Sequence, residues 1–275
     1  MLDISEKKLS IKGSSHAALF YGLKTLDQIL LGDVCNTANN QIAPIRIDDE
    51  PRYGYRALML DPARHFLPVE DVKFYINQMA KYKYNVLQLH LTDDQGWRIE
   101  IKKYPQLAST EHYTQDELRD LIAYAALRNI EIIPEVDVPG HTVAILAAYP
   151  ELGCTSSQNI TKEVGKTTNL MLCASNKKVY EVYQHILGEV ADLFPSQYIH
   201  LGGDESVIDT NWGQCEHCQA LMKQLGYTKT SQLMIPFSIK CWPFWKRKRN
   251  LPFFGASLTT SIRQSQTTCS PIPSQ

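Results

Sequence analysis

The chain has 275 residues, 44% of them hydrophobic, with 28 basic and 29 acidic side chains for a formal net charge of −1. That is enough for one large domain and a small one, and the balance of charge removes any global electrostatic case for nucleic acid or an anionic membrane surface as partner. No apolar run reaches the roughly 18 residues of a membrane span, and the opening Met-Leu-Asp-Ile-Ser-Glu-Lys-Lys lacks the apolar core of an export signal.

Residues 1–50 read as a small leading module. Lys8 to Gly13 alternates like an edge strand. A helix follows from about Ser15, with Leu19, Leu23, Leu26 and Leu30 on one stripe and Gly32 as its stop. Nothing here carries chemistry; the module is for packing. From Tyr55 onward strands and helices alternate. Arg56 to Asp61 is a strand, and Val72, Tyr75, Ile76, Met79 and Ala80 mark a helix face by their three-and-four spacing. Asn85 to Leu91 is the second strand. Thr114 with Glu117 forms a capping box that opens a helix facing inward through Leu118, Leu121, Ile122 and Ala125. The third strand is Ile130 to Val138, the next long helix about Asn176 to Phe194, and the fourth strand Tyr198 to Gly203. Near-continuous apolar strands between amphipathic helices specify a parallel sheet.

All four strands end in polar groups: Asp61, Arg64 and His65; His90, Asp93 and Asp94; Glu135, Asp137 and His141; Asp204 and Glu205. Reactive residues gathered at C-terminal strand ends are the mark of a β/α barrel. A doubly wound sheet would need a Gly-rich phosphate loop after its first strand, and Asp61-Pro62-Ala63-Arg64 is not one. The fourth strand is the most pointed. Gly202 and Gly203 allow close approach of a ligand, and the adjacent Asp204 and Glu205 repel. Such a pair suits one acid that donates a proton beside one that stays ionised.

Four segments in order, Leu58 to Phe66, His90 to Arg98, Pro134 to His141 and His200 to Glu205, resemble the family 20 glycoside hydrolases, the β-N-acetylhexosaminidases. The resemblance covers roughly residues 1–230 and implies an exo-acting hydrolase that releases terminal N-acetylglucosamine or N-acetylgalactosamine from glycans. It implies substrate-assisted, retaining catalysis, in which the sugar's acetamido oxygen is the nucleophile. Glu205 matches the general acid, Asp204 the carboxylate that orients the acetamido group, Asp93 and His141 the pair that tunes the acid, and Arg64 the residue that binds ring hydroxyls. His90, Asp94, Glu135 and Asp137 are expected to support these. No metal or other cofactor is required. Family members of bacterial origin suggest a periplasmic or secreted location.

The chain departs from that pattern in two ways. Strand starts at 56 and 198 put three units in about 140 residues, so eight would need roughly 380, while about 220 remain from residue 56 onward. The expected architecture is therefore a small partial α/β domain (1–50), about the first half of a (β/α)8 TIM barrel (51–234) and an aberrant or disordered tail (235–275). That tail sets Pro236 and Pro243 where a helix belongs, then a basic run, then Ser, Thr, Gln and Pro. Plausible codons for Cys241 to Arg249, read one frame over, give Leu-Ala-Phe-Leu-Glu-Lys-Lys-Lys, so a frameshift is expected. The 275-residue chain is accordingly expected to be weakly active or inactive. A non-catalytic carbohydrate-binding protein is the competing function. Seven cysteines at irregular spacing exclude a disulfide framework, and Cys215-Glu216-His217-Cys218, which would be half a zinc site, has no second ligand pair at a suitable distance in the sequence and is expected to be an ordinary helix face.

Overall fold

The structure is a computed structural model that describes residues 1–31, 42–154, 170–241 and, by backbone alone, 251–253. Residues 155–169, and the parts of the tail at 242–250 and 254–275 on which the expectation of an aberrant segment falls, lie outside the described residues. Two compact units are present: Met1–Met59 with Leu67–Gln88 and Asp120–Ile132, and Leu60–Phe66 with Leu89–Arg119 and the chain from Ile133.

In the first unit, β1 (Leu2–Ile4) is the centre of an antiparallel sheet, flanked by β2 (Leu9–Ile11) and β3 (Ile45–Ile47). Helix α1 (His16–Leu31) covers it; Gly32, its expected stop, lies outside the described residues. The stripe chosen from leucine spacing is not the face that packs. Ile29 and Leu26 join Leu2, Ile4, Ile11 and Ile47 in the core, while Leu19, Leu23 and Leu30 are exposed. Gly22 explains the rotation, since a Cβ there would lie 2.6 Å from Ile11 Cγ2. The helix thus approaches through Gly22, Leu26 and Ile29, spaced at four and three.

A five-stranded sheet runs in the order β4 (Ala57–Leu60), β5 (Val86–His90), β6 (Glu131–Glu135), β7 (Tyr198–His200) and β8 (Leu251–Phe253). β6 and β7 are parallel with Glu135 opposite His200, and β7 and β8 are parallel with Ile199 opposite Pro252. Val86, Leu87 and Leu89 are buried in β5 and Ile132 and Ile133 in β6, which is why these strands read as unbroken apolar runs. Helix α2 (Val69–Lys81) buries Val72, Ile76, Met79 and Ala80 and turns Tyr75 outward. Helix α3 (Gln115–Ala126) begins at the expected box: Thr114 N–H donates to Glu117 Oε2 at 2.8 Å, and Glu117 N–H to Thr114 Oγ1 at 3.2 Å. Short α4 (Val143–Ala148) precedes α5 (Lys177–Leu193), capped by the Asn176 side chain. After β7 come α6 (Ile208–Asn211), α7 (Glu216–Gln224) and α8 (Met234–Cys241).

Helix α8 corrects the reading of the tail at its start. Pro236 sits in the first turn, where its missing N–H breaks no intrahelical bond. Phe237 is buried against Tyr180 of α5 and Trp212, with ring centroids 5.6 and 5.5 Å away, so packing holds the helix.

Candidate active site

From β4 to β7, apolar strands give way to polar residues in the loops that follow, and these residues meet within the second unit. After β4, the Asp61 carboxylate accepts from the Arg64 N–H at 3.0 Å and pairs with Arg64 Nη1 at 2.7 Å. Arg98 fixes this loop from beyond β5. It donates to the carbonyls of Pro62 and Ala63 at 3.0 and 3.1 Å and lies over the Phe66 ring.

After β5, Asp93 is the node of the site, with 1% of its side chain exposed. One of its oxygens lies 2.9 Å from Arg64 Nη2 and 2.8 Å from His90 Nε2; the other lies 3.3 Å from His141 Nδ1. His90 Nδ1 is 3.1 Å from Glu135 Oε2, and His200 Nδ1 is 2.9 Å from Glu135 Oε1. His141 Nε2 lies 3.5 Å from Glu205 Oε2. Acids and histidines therefore alternate along a row: Glu205, His141, Asp93, His90, Glu135, His200. His141 stands within ion-pair distance of both its acids but is hydrogen-bonded to neither.

The β7 loop owes its shape to its glycines and to Asp137. Gly202 has φ +59°, and a Cβ on it would fall 1.9 Å from Asp137 Oδ1. That same oxygen accepts from the Gly203 N–H at 2.9 Å. Two non-glycine residues of the rim also take left-handed backbone, His141 with φ 52° and Glu205 with φ 47°. Such backbone costs of order 1–3 kcal/mol and persists where the surroundings enforce it. The facing acid and histidine are both held this way. Asp204 lies beside them: its carboxylate, the His141 ring and the Asp137 carboxylate come within 4.8 Å of one another. Asp204 is exposed, and 77% of the Glu205 side chain is open to solvent.

Charges in the row reinforce one another. Burial works against a charged His90, yet its hydrogen bonds to Asp93 and Glu135 prevail and raise it to about 10. Asp93 raises His141 to about 9 against the effect of its own burial. In return, and despite burial, the histidines hold Asp93 and Glu135 far below the usual carboxylate range. At Asp137 burial prevails instead, although the His141 charge is near. Burial pushes it up to about 8, the Gly203 N–H only partly opposing and the Asp204 charge adding to the rise. His90, His141, Asp93 and Glu135 thus carry charge at neutral pH, beside an Asp137 carboxyl that keeps its proton.

Three groups among the described residues could hold a cation: Asp93, Asp94 and His141; Asp137, His141 and Asp204; and Cys154, Cys173, Cys215 and Cys218. The first two share His141 and are drawn from the acid–base rim itself. The third overturns the sequence argument against a complete cysteine site. That argument looked for a second spaced pair, whereas the fold supplies two isolated cysteines.

The structure brings all five residues singled out from the sequence, Glu205, Asp204, Asp93, His141 and Arg64, into one rim. His90, Asp94, Glu135 and Asp137 stand around them; Asp94 Oδ1 accepts the Val143 N–H at the start of α4. His200 and Arg98 were not singled out. His200 has a sequence signal, because it ends β7 in register with Glu135. Arg98 closes the matched segment His90 to Arg98, but nothing there marks its task, its partners being carbonyls of a loop distant in sequence.

Comparison with known proteins agrees with the resemblance. Residues 53–266 match the profile described as glycosyl hydrolase family 20, catalytic domain, a match that runs beyond residue 234. A β-hexosaminidase of Porphyromonas gingivalis is 40% identical over 255 residues, covering 86% of this chain and 33% of its own. The chain therefore spans about a third of that relative's length. A Flavobacterium johnsoniae chitobiase structure superposes with a TM-score of 0.82 at 37% identity, over 92% of this chain and 38% of the other. A Vibrio harveyi exo-β-N-acetylglucosaminidase, solved with N-acetylglucosamine, gives 0.78 at 34% identity, over 92% and 43%.

Proposed function

The chain belongs to glycosyl hydrolase family 20, and on that premise we propose that it carries the acid–base half of a β-N-acetylhexosaminidase site. The reaction is release of terminal, non-reducing N-acetylglucosamine or N-acetylgalactosamine from glycans, with retention. In this reading the five strands are the first five of a β/α barrel, and the leading sheet and helix are part of a flanking domain. The protein acts on glycans outside the cytoplasm, in the periplasm or medium.

The observation that carries the proposal is the contact series Glu205–His141–Asp93, an exposed acid backed by a cationic histidine that is itself backed by a buried, ionised aspartate. The sugar's acetamido oxygen attacks the anomeric carbon while Glu205 gives its proton to the departing glycosidic oxygen. Asp204 accepts the acetamido N–H and faces the positive charge of the oxazolinium formed. Water then opens that ring, with Glu205 taking the proton back, and two inversions leave the original configuration. Arg64 spends two donors on Asp61 and Asp93 and has others left for ring hydroxyls.

Exposure of Glu205 bears on rate. Attack by the acetamido oxygen depends on that group being held, and an open rim does not hold it. The 275-residue chain is therefore taken to hydrolyse slowly or not at all, and the tail near Cys241 to be frameshifted; an uninterrupted frame shared by close relatives would remove the latter idea. The same openness favours a second reading, a carbohydrate binder without turnover. A chromogenic N-acetylglucosaminide, tested beside calorimetry with N-acetylglucosamine, separates the two. In a family member that carries this rim and turns over, Glu205→Gln is expected to lower kcat/KM by about 10²–10⁴-fold, and less for an activated leaving group. An effect below a few-fold removes Glu205 as the acid. Rapid hydrolysis by the 275-residue chain, abolished by Glu205→Gln, removes the inactivity.

A further inference from the structure

Away from the rim, four buried cysteines from three segments point their sulfurs at one spot. Cys154 follows the single turn Pro150–Leu152, Cys173 lies beyond residues 155–169, Cys215 caps α7 and Cys218 is in its first turns. The Sγ atoms all lie within 4.8 Å of one another, with Cys173–Cys218 at 3.6 Å and Cys154–Cys218 at 4.0 Å. Four thiolates about 2.3 Å from a zinc ion at a tetrahedron's centre lie about 3.8 Å apart. A disulfide would need a sulfur pair at about 2.05 Å, and all four are free thiols.

We infer that Cys154, Cys173, Cys215 and Cys218 form a structural site for a tetrahedral, thiophilic divalent cation, zinc. Binding ionises the four thiols and releases their protons to solvent. The surroundings suit it. Cys215 and Cys218 have the two-residue spacing of zinc-binding knuckles and stand at the start of a nine-residue helix, whose dipole favours thiolate. Ser175 Oγ lies 3.1 Å from Cys173 Sγ and 3.7 Å from Cys218 Sγ, placed to donate to thiolate sulfur as a supporting contact. The segments are held without the sulfurs: Cys173 N–H donates to the Leu152 carbonyl at 2.9 Å, and Trp212 Nε1 to that of Leu172 at 2.8 Å. Cys173 also lines a cleft of about 1120 Å³, with Asn176, Tyr180 and His217 among its walls, which gives an ion a way in. Closed coordination by four protein ligands leaves no open position for substrate, so the ion's role is to hold α7 against the chain before α5.

The test is metal analysis of the 275-residue chain purified from zinc-supplemented medium without chelator, with non-reducing intact mass. The expected result is about one zinc per chain, a fully reduced mass, and a Tm that falls by roughly 5–10 °C when the metal is stripped and recovers on adding zinc. Replacing zinc by cobalt(II) should give the intense visible bands of tetrahedral thiolate ligation, a readout that needs no variant. Cys215→Ser should lose most of the metal, while Cys35→Ser with Cys269→Ser should keep it. Less than about a tenth of an equivalent of metal, or a mass lowered by disulfide formation among these four, overturns the inference.

Discussion

Gly202 shows how little freedom the rim allows at a single residue. Two independent demands fall on it, a backbone with φ +59° and a gap filled by Asp137 Oδ1, 1.9 Å from where a Cβ would stand. Gly202→Ala therefore meets both left-handed strain and a clash that moves the carboxylate holding the Gly203 N–H. The expected loss is about 2–4 kcal/mol of stability, read as a lower urea midpoint at unchanged slope. A midpoint within error of the parent would show that Asp137 moves aside freely. At this scale the sequence was informative wherever a residue's chemistry is displayed at a strand end: His90, Asp93, Glu135, His141 and Glu205 all stand out beside apolar runs. It was silent about Arg98, whose work is done on loop carbonyls, and about Asp137's raised affinity for its proton, which comes from burial that no spacing encodes.

Elements were legible in proportion to how locally they are determined. Helix α3 announces itself through Thr114 and Glu117, and the box is present with both bonds made. Thr114→Ala should cost about 1 kcal/mol by freeing the first-turn N–H of Glu117, whereas Thr114→Ser should recover most of it; equal midpoints for all three chains would show that Glu100, which accepts the Gln115 N–H at 2.9 Å, suffices as a cap. Helices α1 and α8 were less legible for the opposite reason. The face of α1 is chosen by the close approach at Gly22, a fact about the neighbouring strand. Helix α8 is held by Phe237 between Tyr180 and Trp212, contacts that outweigh the unfavourable look of Pro236. The four cysteines belong with these cases, since Cys154 and Cys173 become a pair only after folding.

For the molecule as a whole, the shifted groups of the rim fix how stability follows pH. His90 and His141 are raised to about 10 and 9, above the roughly 6.5 of an unfolded chain, so the native state keeps protons that the unfolded state gives up. Their stabilisation is complete below about pH 6.5 and is lost as pH climbs through 9 and 10. Asp137, raised to about 8, works in the same direction between about pH 4 and pH 8. Asp93 and Glu135 are depressed, and their share is lost on acidification. The urea midpoint should therefore peak in mildly acidic buffer and decline toward pH 10, with a slope approaching about 1.4 kcal/mol per unit for His90 and less for His141, which lies nearer solvent. His90→Gln should flatten the alkaline decline. A midpoint that rises between pH 7 and 9 would contradict the charge assignment.

Asp93 is shared, and sharing has a thermodynamic cost to whichever partner is left. Any guest that draws the Arg64 guanidinium toward itself removes one counter-ion from Asp93, and His141 then clings harder to its proton. By reciprocity, a protonated His141 must ease the departure of Arg64 toward the guest. Occupancy at one side of the rim and basicity at the other are thus a single linked equilibrium.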